Sequence, residues 1–307
     1  MIDTSVVDFE TIRYKLSDLE KNIHIQKIIK YNQICQELEG YWFQALCKSP
    51  EIYGAFFKGE NEITENLDGY INLFIANHII DFEEFHAILR EIITFVNEKD
   101  NVDILHIQLF FSNKKNYYEM IEQRQEEFKL LSIVVNKEIG LVERKELSEN
   151  ILIRKAQPRD EKEIINYLIK SYIDGTPENH YKQIGVQKFK KNISSYYSPL
   201  LKETIISLVM EKNKVFCGHV TYSIDSQDFY SIQNQASLVD LYITEDAKEP
   251  GIYTSLKNFG ELACKEKGIQ NIVGTITVGT KIHKAISVLS NLETENWNFE
   301  SLIYIKD

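Results

Sequence analysis

The sequence predicts an α/β protein of the α+β kind, built in two halves. Three observations carry this. Short apolar runs bounded by turn signals interleave with longer segments whose apolar residues recur at helical spacing along 307 residues. The first half reads as strands and then a strand–helix–strand–helix–strand order, and the second as strand, two helices, three strands, helix, strand, helix, strand. The stretch ASLVDLYITEDAKEPGIYTSLKNFGELACKEKG, 236–268, places an apolar strand, a loop with one glycine and an amphipathic helix closed by Gly268 in direct succession.

Composition narrows the class. Hydrophobic residues make up 43% and aromatics 11%, enough for real cores, so disorder is not expected. Net charge is −11, which argues against nucleic acid as a partner, because phosphate binding needs clustered basic residues. The densest basic run, KFKKN at 188–192, reads as a solvated helix face. The N-terminal MIDTSVVDFETIRY carries acids where a signal peptide carries lysines, and no uncharged run reaches spanning length. No membrane segment is expected, and the cytoplasm is the expected compartment. Cys35, Cys47, Cys217 and Cys264 are scattered without paired spacing, so free thiols and no metal site are expected.

The first half opens with a helical segment, 4–39, with Ile12, Leu16, Leu19, Ile23 and Ile28 among many charges. Strands follow at 41–46, 52–57 and 70–76, punctuated by Ser49-Pro50 and Lys58-Gly59. Phe85, Leu89, Ile92, Ile93 and Phe95 mark an amphipathic helix at 82–99. A strand at 102–111, a helix at 116–124 and a strand at 128–136 complete this half. Charge then replaces apolar periodicity in KEIGLVERKELSEN, 137–150, which sets the expected domains at 1–145 and 150–307. No Pro/Gly/Ser linker lies between them.

The second half starts with a strand at 151–155. Gln157-Pro158-Arg159-Asp160 introduces a helix at 161–173, with Asp160 as expected N-cap and Glu163 closing a capping box. Asp174-Gly175-Thr176-Pro177 breaks it, and a second helix is expected at 181–196. Strands at 204–211 and 214–224 are joined by the tight turn Lys212-Asn213. The strand of the opening stretch, 237–243, is expected to be buried on both faces. Its helix, 252–267, puts Leu256, Phe259, Leu262 and Ala263 on one face. A strand at 271–277, a helix at 280–291 and a strand at 299–305 finish the chain.

The loop Lys248-Glu249-Pro250-Gly251-Ile252-Tyr253 feeds a helix N-terminus, where free N–H groups and the positive end of the helix dipole suit a phosphate. With the opening strand ILIRKAQPRD (151–160), the glycine-bearing strand KVFCGHV (214–220) and VDLYI (239–243) before that loop, 151–307 resembles the GNAT acetyltransferase superfamily. That family's loop reads Arg/Gln-x-x-Gly-x-Gly/Ala, and the matching positions here are Lys248, Gly251 and Tyr253. Tyr253 replaces a small residue and Pro250 removes a donor, both departures from the pattern. The first half follows the same template, but its loop, Asn77-His-Ile-Ile-Asp-Phe82, has neither glycine nor base. It resembles a degenerate GNAT-like half in a tandem arrangement. The resemblance implies two domains, each a mixed, mostly antiparallel sheet flanked by helices.

The same resemblance implies an acetyl-CoA-dependent N-acetyltransferase acting on a small amine, with acetyl-CoA as co-substrate. The backbone of Leu241 to Ile243 would hold the pantetheine between splayed strands 237–243 and 271–277. Lys248, Gly251, Ile252, Tyr253 and Thr254 would meet the pyrophosphate. Asp240 and His219, on neighbouring strands, are candidate bases for an ammonium, and Tyr242 shares the face of Asp240. The family's usual tyrosine acid is missing from KIHKAISVLSNLETENWNF, leaving Ser287, Ser290, Tyr242 or water. Asp174, Glu178 and His180, with Tyr181, would line the acceptor side, where acids suit a cationic amine. The rival expectations are acyl transfer involving an acyl carrier protein and a non-catalytic tandem binding protein; a homodimer is left open. The seven histidines show no HExxH spacing, His78, His86 and His106 lack a matching carboxylate cluster, and neither GxSxG nor GxxxxGK[ST] occurs.

Overall fold

In the computed structural model the described residues are 2–4, 22–45, 51–75, 81–111, 113–122, 128–140, 150–197, 204–224, 232, 234–249, 251–278 and 282–306. In chain order they form β1 (Ile2–Asp3), α1 (Asn22–Glu37), β2 (Tyr41–Ala45), β3 (Ile52–Glu60), β4 (Leu67–Ile75), α2 (Phe82–Lys99), β5 (Ile104–Phe111), α3 (Lys114–Glu122) and β6 (Lys129–Glu138). Then come β7 (Ile151–Lys155), α4 (Glu161–Gly175), α5 (Gly185–Tyr197), β8 (Ile205–Lys212), β9 (Val215–Ser223), β10 (Gln235–Ile243), α6 (Ile252–Glu266), β11 (Asn271–Thr277), α7 (Ile282–Thr294) and β12 (Asn298–Lys306). None of these helices is long and apolar enough to cross a membrane. Within the predicted 4–39 helix, 22–37 is helical, and 5–21 lies outside the described residues.

Two compact units divide the chain. The first is Met1–Val134 with Thr277–Ala285 and Phe299–Asp307; the second is Val135–Ile276 with Ile286–Asn298. In the first, strands run β1-β2-β3-β4-β5-β12, all antiparallel neighbours except the parallel pair β4–β5. Large aromatics fill its core, among them Phe43, Phe56, Phe74, Phe85 and Phe110. Gly54 is required there, since a Cβ would lie 2.1 Å from the Phe43 ring. The C-terminal strand belongs to this core. Tyr117 donates to Glu300 O (2.7 Å), Gln108 to Ser301 Oγ (2.6 Å) and Tyr304 to Met120 O (3.1 Å).

In the second unit strands run β11-β10-β9-β8-β7, antiparallel except for the parallel pair β10–β11. Lys212 pairs with Val215, so the β8–β9 turn is Asn213-Lys214 rather than the expected Lys212-Asn213. Both turn residues have positive φ, 53° and 66°, the geometry whose twist matches a two-residue hairpin.

Asp160 stands at the N-cap position of α4 as expected, but its side chain makes no capping bond to the first turn. Arg154 reaches it through both Nη atoms, at 2.6 and 2.9 Å, and Gln157 N donates to it at 2.7 Å. A bidentate, charge-assisted contact outweighs the single bond a cap would make.

Candidate functional site

The central feature of the second unit is where its parallel seam stops. β10 and β11 pair from Gln235↔Asn271 to Leu238↔Gly274, yet β10 continues to Ile243 and β11 beyond Gly274. At the same place β10 shifts register against β9 between Leu238 and Asp240, an irregularity that bends a strand and re-aims its side chains. Accessibility follows the opening. Gln235 to Ser237 are buried, Leu238 to Tyr242 are half-buried, and Thr275 is exposed after the buried 272–274. The expectation of a strand buried on both faces therefore fails over its second half, because its outer neighbour has left.

In the first unit the corresponding parallel pair does not open. β4 and β5 stay in register from Asp68↔Ile104 to Ile75↔Phe111, and both strand ends are buried. The helix that follows differs as well. Asp81 caps α2, accepting from Glu83 N at 3.0 Å and Glu84 N at 3.2 Å. A carboxylate thus fills the first-turn amides, and Glu83 and Glu84 add negative charge. Residues 76–80 lie outside the described residues.

The second unit begins its helix differently. α6 is N-capped by Gly251 at φ +86°, a left-handed conformation that glycine adopts freely, and a glycine brings no side chain to cap the helix end. Ile252 N donates to Glu249 O at 3.2 Å, while the amides of Tyr253 and Thr254 have no acceptor within the helix. Pro250 lies outside the described residues. Lys248 is exposed and paired with Glu245, while Glu249 is held by Lys212 at 2.6 Å. Ile252 is buried, Tyr253 is 47% exposed, and Thr254 reaches Glu295 at 3.4 Å. Leu241 is half-buried on the open stretch of β10, and Ile243 is buried at its end.

Asp240 and His219 do meet. His219 Nε2 lies 3.2 Å from Asp240 Oδ2, at ion-pair distance without hydrogen-bond alignment, with the histidine fully buried and the aspartate 11% exposed. Tyr242 pairs across the strands with His219 and stacks on Tyr167 of α4, centroids 3.8 Å apart. Phe216 stacks on the other ring, and Tyr167 lies 6.2 Å from His219. The Tyr167 phenol is pushed up by burial and then by Tyr242, Glu163 and Asp246. The site is aromatic and acidic, the character that holds a cation.

The other candidate residues stand apart. Asp174 is exposed in the last turn of α4, Glu178 is exposed between α4 and α5, and His180 is buried there. Ser290 bonds back to Ile286 O of its own helix at 3.0 Å.

The buried face of α6 contains two charges that apolar periodicity cannot show. It is formed by Ile252, Ser255, Leu256, Lys257, Gly260, Glu261 and Cys264, while Phe259, Leu262 and Ala263 are half-buried. Lys137 bonds both oxygens of Glu261, at 3.0 and 2.9 Å, and Lys257 pairs with Glu295. Burial lowers the Lys257 ammonium to about 8, Glu261 opposing and Lys137 assisting. The four-residue spacing of Lys257 and Glu261 is the one local signal of this network. Gly260 lets the helix approach the sheet, since a Cβ would lie 2.4 Å from the Tyr222 ring. Among the described residues no group of three or more His, Cys, Asp or Glu could hold a metal ion.

No family model matches the chain, and no curated protein does. Solved structures similar to it include a GCN5-related N-acetyltransferase from Sphaerobacter thermophilus, 8% identical, covering 90% of this chain and 84% of that one at a TM-score of 0.48. Another, from Kribbella flavida, is 10% identical over 86% of this chain and 88% of its own, TM-score 0.44. The PaiA N-acetyltransferase of Thermoplasma acidophilum, in complex with coenzyme A, is 19% identical over 51% of this chain and 98% of its own, TM-score 0.34.

Proposed function

We propose that the second unit is a GNAT-type N-acetyltransferase that moves an acetyl group from acetyl-CoA directly to a small amine. The observation that supports this most is the parting of β10 and β11 after Leu238 and Gly274. It leaves the edge of Leu241 to Ile243 without a strand partner on that side, the arrangement an extended pantetheine amide chain needs. Gly251, Ile252, Tyr253 and Thr254 would receive the pyrophosphate at the start of α6, with Lys248 beside them. Acetyl-CoA supplies the activated acyl group. The protein's part is to orient the amine and take its proton. Asp240 is the base, His219 supports it, and Tyr242 with Tyr167 forms an electron-rich wall for the ammonium. Asp174, Glu178 and His180 belong to the acceptor side.

The first unit, with a paired β4–β5 seam and an occupied helix cap, is the degenerate half of a tandem pair in this reading. It keeps the scaffold and binds no cofactor.

One observation favours a second reading. The Lys248 cation is already matched by Glu245, so the loop offers a free pyrophosphate little net charge. An acyl group carried on a carrier protein's own pantetheine arm would need the strand opening alone.

Thermal unfolding with acetyl-CoA tests the first reading. Binding stabilises the fold by roughly 2.7 kcal/mol at a hundredfold excess over the dissociation constant. No shift at millimolar acetyl-CoA excludes it. Where a shift occurs, thiol release across a panel of amines finds the acceptor, and Asp240→Asn should flatten the rise of rate with pH. An unchanged profile removes Asp240 as base.

A further inference from the structure

We infer that Thr221 and Ser207 are positioning residues that hold His219 in the tautomer with its hydrogen on Nε2, the nitrogen beside Asp240, so that the base is a fixed pair. This rests on the acyltransferase reading of the second unit. The four side chains form a polar row across three adjacent strands. Ser207 on β8 pairs with Thr221 on β9, Thr221 pairs with Asp240 on β10, and His219 lies two residues from Thr221. Ser207 Oγ is 2.9 Å from Thr221 Oγ1, which is 3.2 Å from His219 Nδ1, and His219 Nε2 is 3.2 Å from Asp240 Oδ2. Thr221 and His219 are fully buried, and Ser207 is buried. The row lies in a buried part of the sheet, so an apolar row would fill the same space without polar atoms to satisfy.

The direction of the hydrogens follows from what each group can give. A neutral imidazole has one N–H and one lone pair, and a carboxylate only accepts. A lone pair on Nε2 would lie 3.2 Å from the carboxylate oxygen in a buried place, which is repulsive, whereas an N–H there is attracted to the charge even without hydrogen-bond alignment. Nε2 therefore carries the hydrogen and Nδ1 accepts from the Thr221 hydroxyl, whose oxygen in turn accepts from Ser207. The chain is one-directional, and each donor has one use. In the reaction the acceptor ammonium gives its proton to Oδ1 of Asp240 and keeps the electron pair on nitrogen for attack. Nε2 keeps its hydrogen beside Oδ2 throughout, and no hydroxyl changes its proton. The groups around the pair are Tyr167 from α4, Tyr242 from β10 and Tyr253 from α6, whose phenol is raised by burial and then by the Asp240 charge.

The tautomer can be read by 15N NMR on the full chain, with the His219 signals identified by their loss in His219→Gln. Wild type should show Nε2 protonated and Nδ1 bare. Thr221→Val, which keeps the shape and removes the hydroxyl, should leave a mixture of tautomers. Thr221→Ser should restore the single form. In turnover, Thr221→Val should lower kcat about tenfold with KM for acetyl-CoA unchanged, Ser207→Ala should lie between, and Thr221→Ser should stay within about twofold of wild type. A protonated Nδ1 in wild type, or a tautomer indifferent to Thr221→Val, overturns the inference. Absence of any thermal shift with acetyl-CoA removes the acyltransferase reading instead, and the tautomer measurement still decides whether Thr221 orients His219.

Discussion

Leu238 and Gly274 are the last residues at which the two parallel strands of the second unit face each other. In the first unit the matching seam stays closed to Ile75 and Phe111. The two parallel seams thus differ, and the difference lies in backbone pairing rather than in any single side chain. An open seam offers unpaired amide edges, which only an extended polar chain or water can satisfy. A closed one offers nothing.

The helix ends make the contrast testable. Gly251→Asp would give α6 the acidic cap that Asp81 gives α2, at a position whose left-handed backbone aspartate tolerates for about 1 kcal/mol. The variant should remain folded, and its affinity for acetyl-CoA should fall by about tenfold or more, through a charge set against the pyrophosphate. Thermal shift across an acetyl-CoA titration measures both effects. The converse, Asp81→Ala, should cost about 1 kcal/mol in urea unfolding. It should confer no acetyl-CoA binding, because β4 and β5 remain paired.

Gly260→Ala tests how closely α6 must lie on the sheet. The added methyl meets the buried Tyr222 ring at 2.4 Å, a contact neither can yield without lifting the helix. Overpacking of this kind costs about 1–3 kcal/mol. A raised N-terminus should weaken acetyl-CoA binding as well. Unchanged affinity beside a lowered Tm would show that the first turn of α6 moves independently of its middle.

Element order is legible in the sequence because apolar periodicity and turn residues are local. The segments 82–99, 151–155 and 271–277 carry their own boundaries in that way. The strand–loop–helix of 236–268 is legible for the same reason, as is the placing of Asp240 beside His219 on neighbouring strands. What local pattern cannot carry is long-range. The end of the β10–β11 seam depends on a partner strand more than thirty residues away, and β12 takes its place beside β5 from nearly two hundred residues away. The buried charges of α6 are invisible to hydrophobic periodicity, since Lys257 and Glu261 count as surface residues until Lys137 and Glu295 arrive. Asp160 reads as a cap because the arginine that claims it, Arg154, lies on the strand before.

Acid should expose that arginine clamp. The Arg154 guanidinium, hydrogen-bonded to Asp160, holds its carboxyl below the usual carboxylate range, against the upward push of burial. A carboxylate held low binds fewer protons in the folded state than in the unfolded one. Its contribution is therefore present above the ordinary value of 3.8 and is lost as pH falls through the folded one. Asp160→Asn should cost about 1–3 kcal/mol at pH 7 and progressively less below pH 4. Urea unfolding of both proteins across that range measures the convergence, and a gap that stays constant into acid removes the clamp as its source.

The first unit contains a sharper case. Lys27 of α1 and Glu300 of β12 form an ion pair at 2.8 Å with both side chains fully buried. Neither charge can reach water, so removing one strands the other in a medium of low dielectric. Glu300→Gln should therefore cost about 3–5 kcal/mol, and Lys27→Met a similar amount. The double variant Lys27→Met with Glu300→Leu replaces the pair by apolar groups of similar size and should recover most of the loss. Because Tyr117 donates to the backbone of Glu300 and Gln108 to Ser301, the strand keeps its other anchors in each variant. A double variant no more stable than either single one would mean that the pair is needed for more than mutual neutralisation. Chain ending after Asn298 removes β12, Glu300 included, and should leave the β5 edge bare, so the first unit should lose cooperative unfolding altogether.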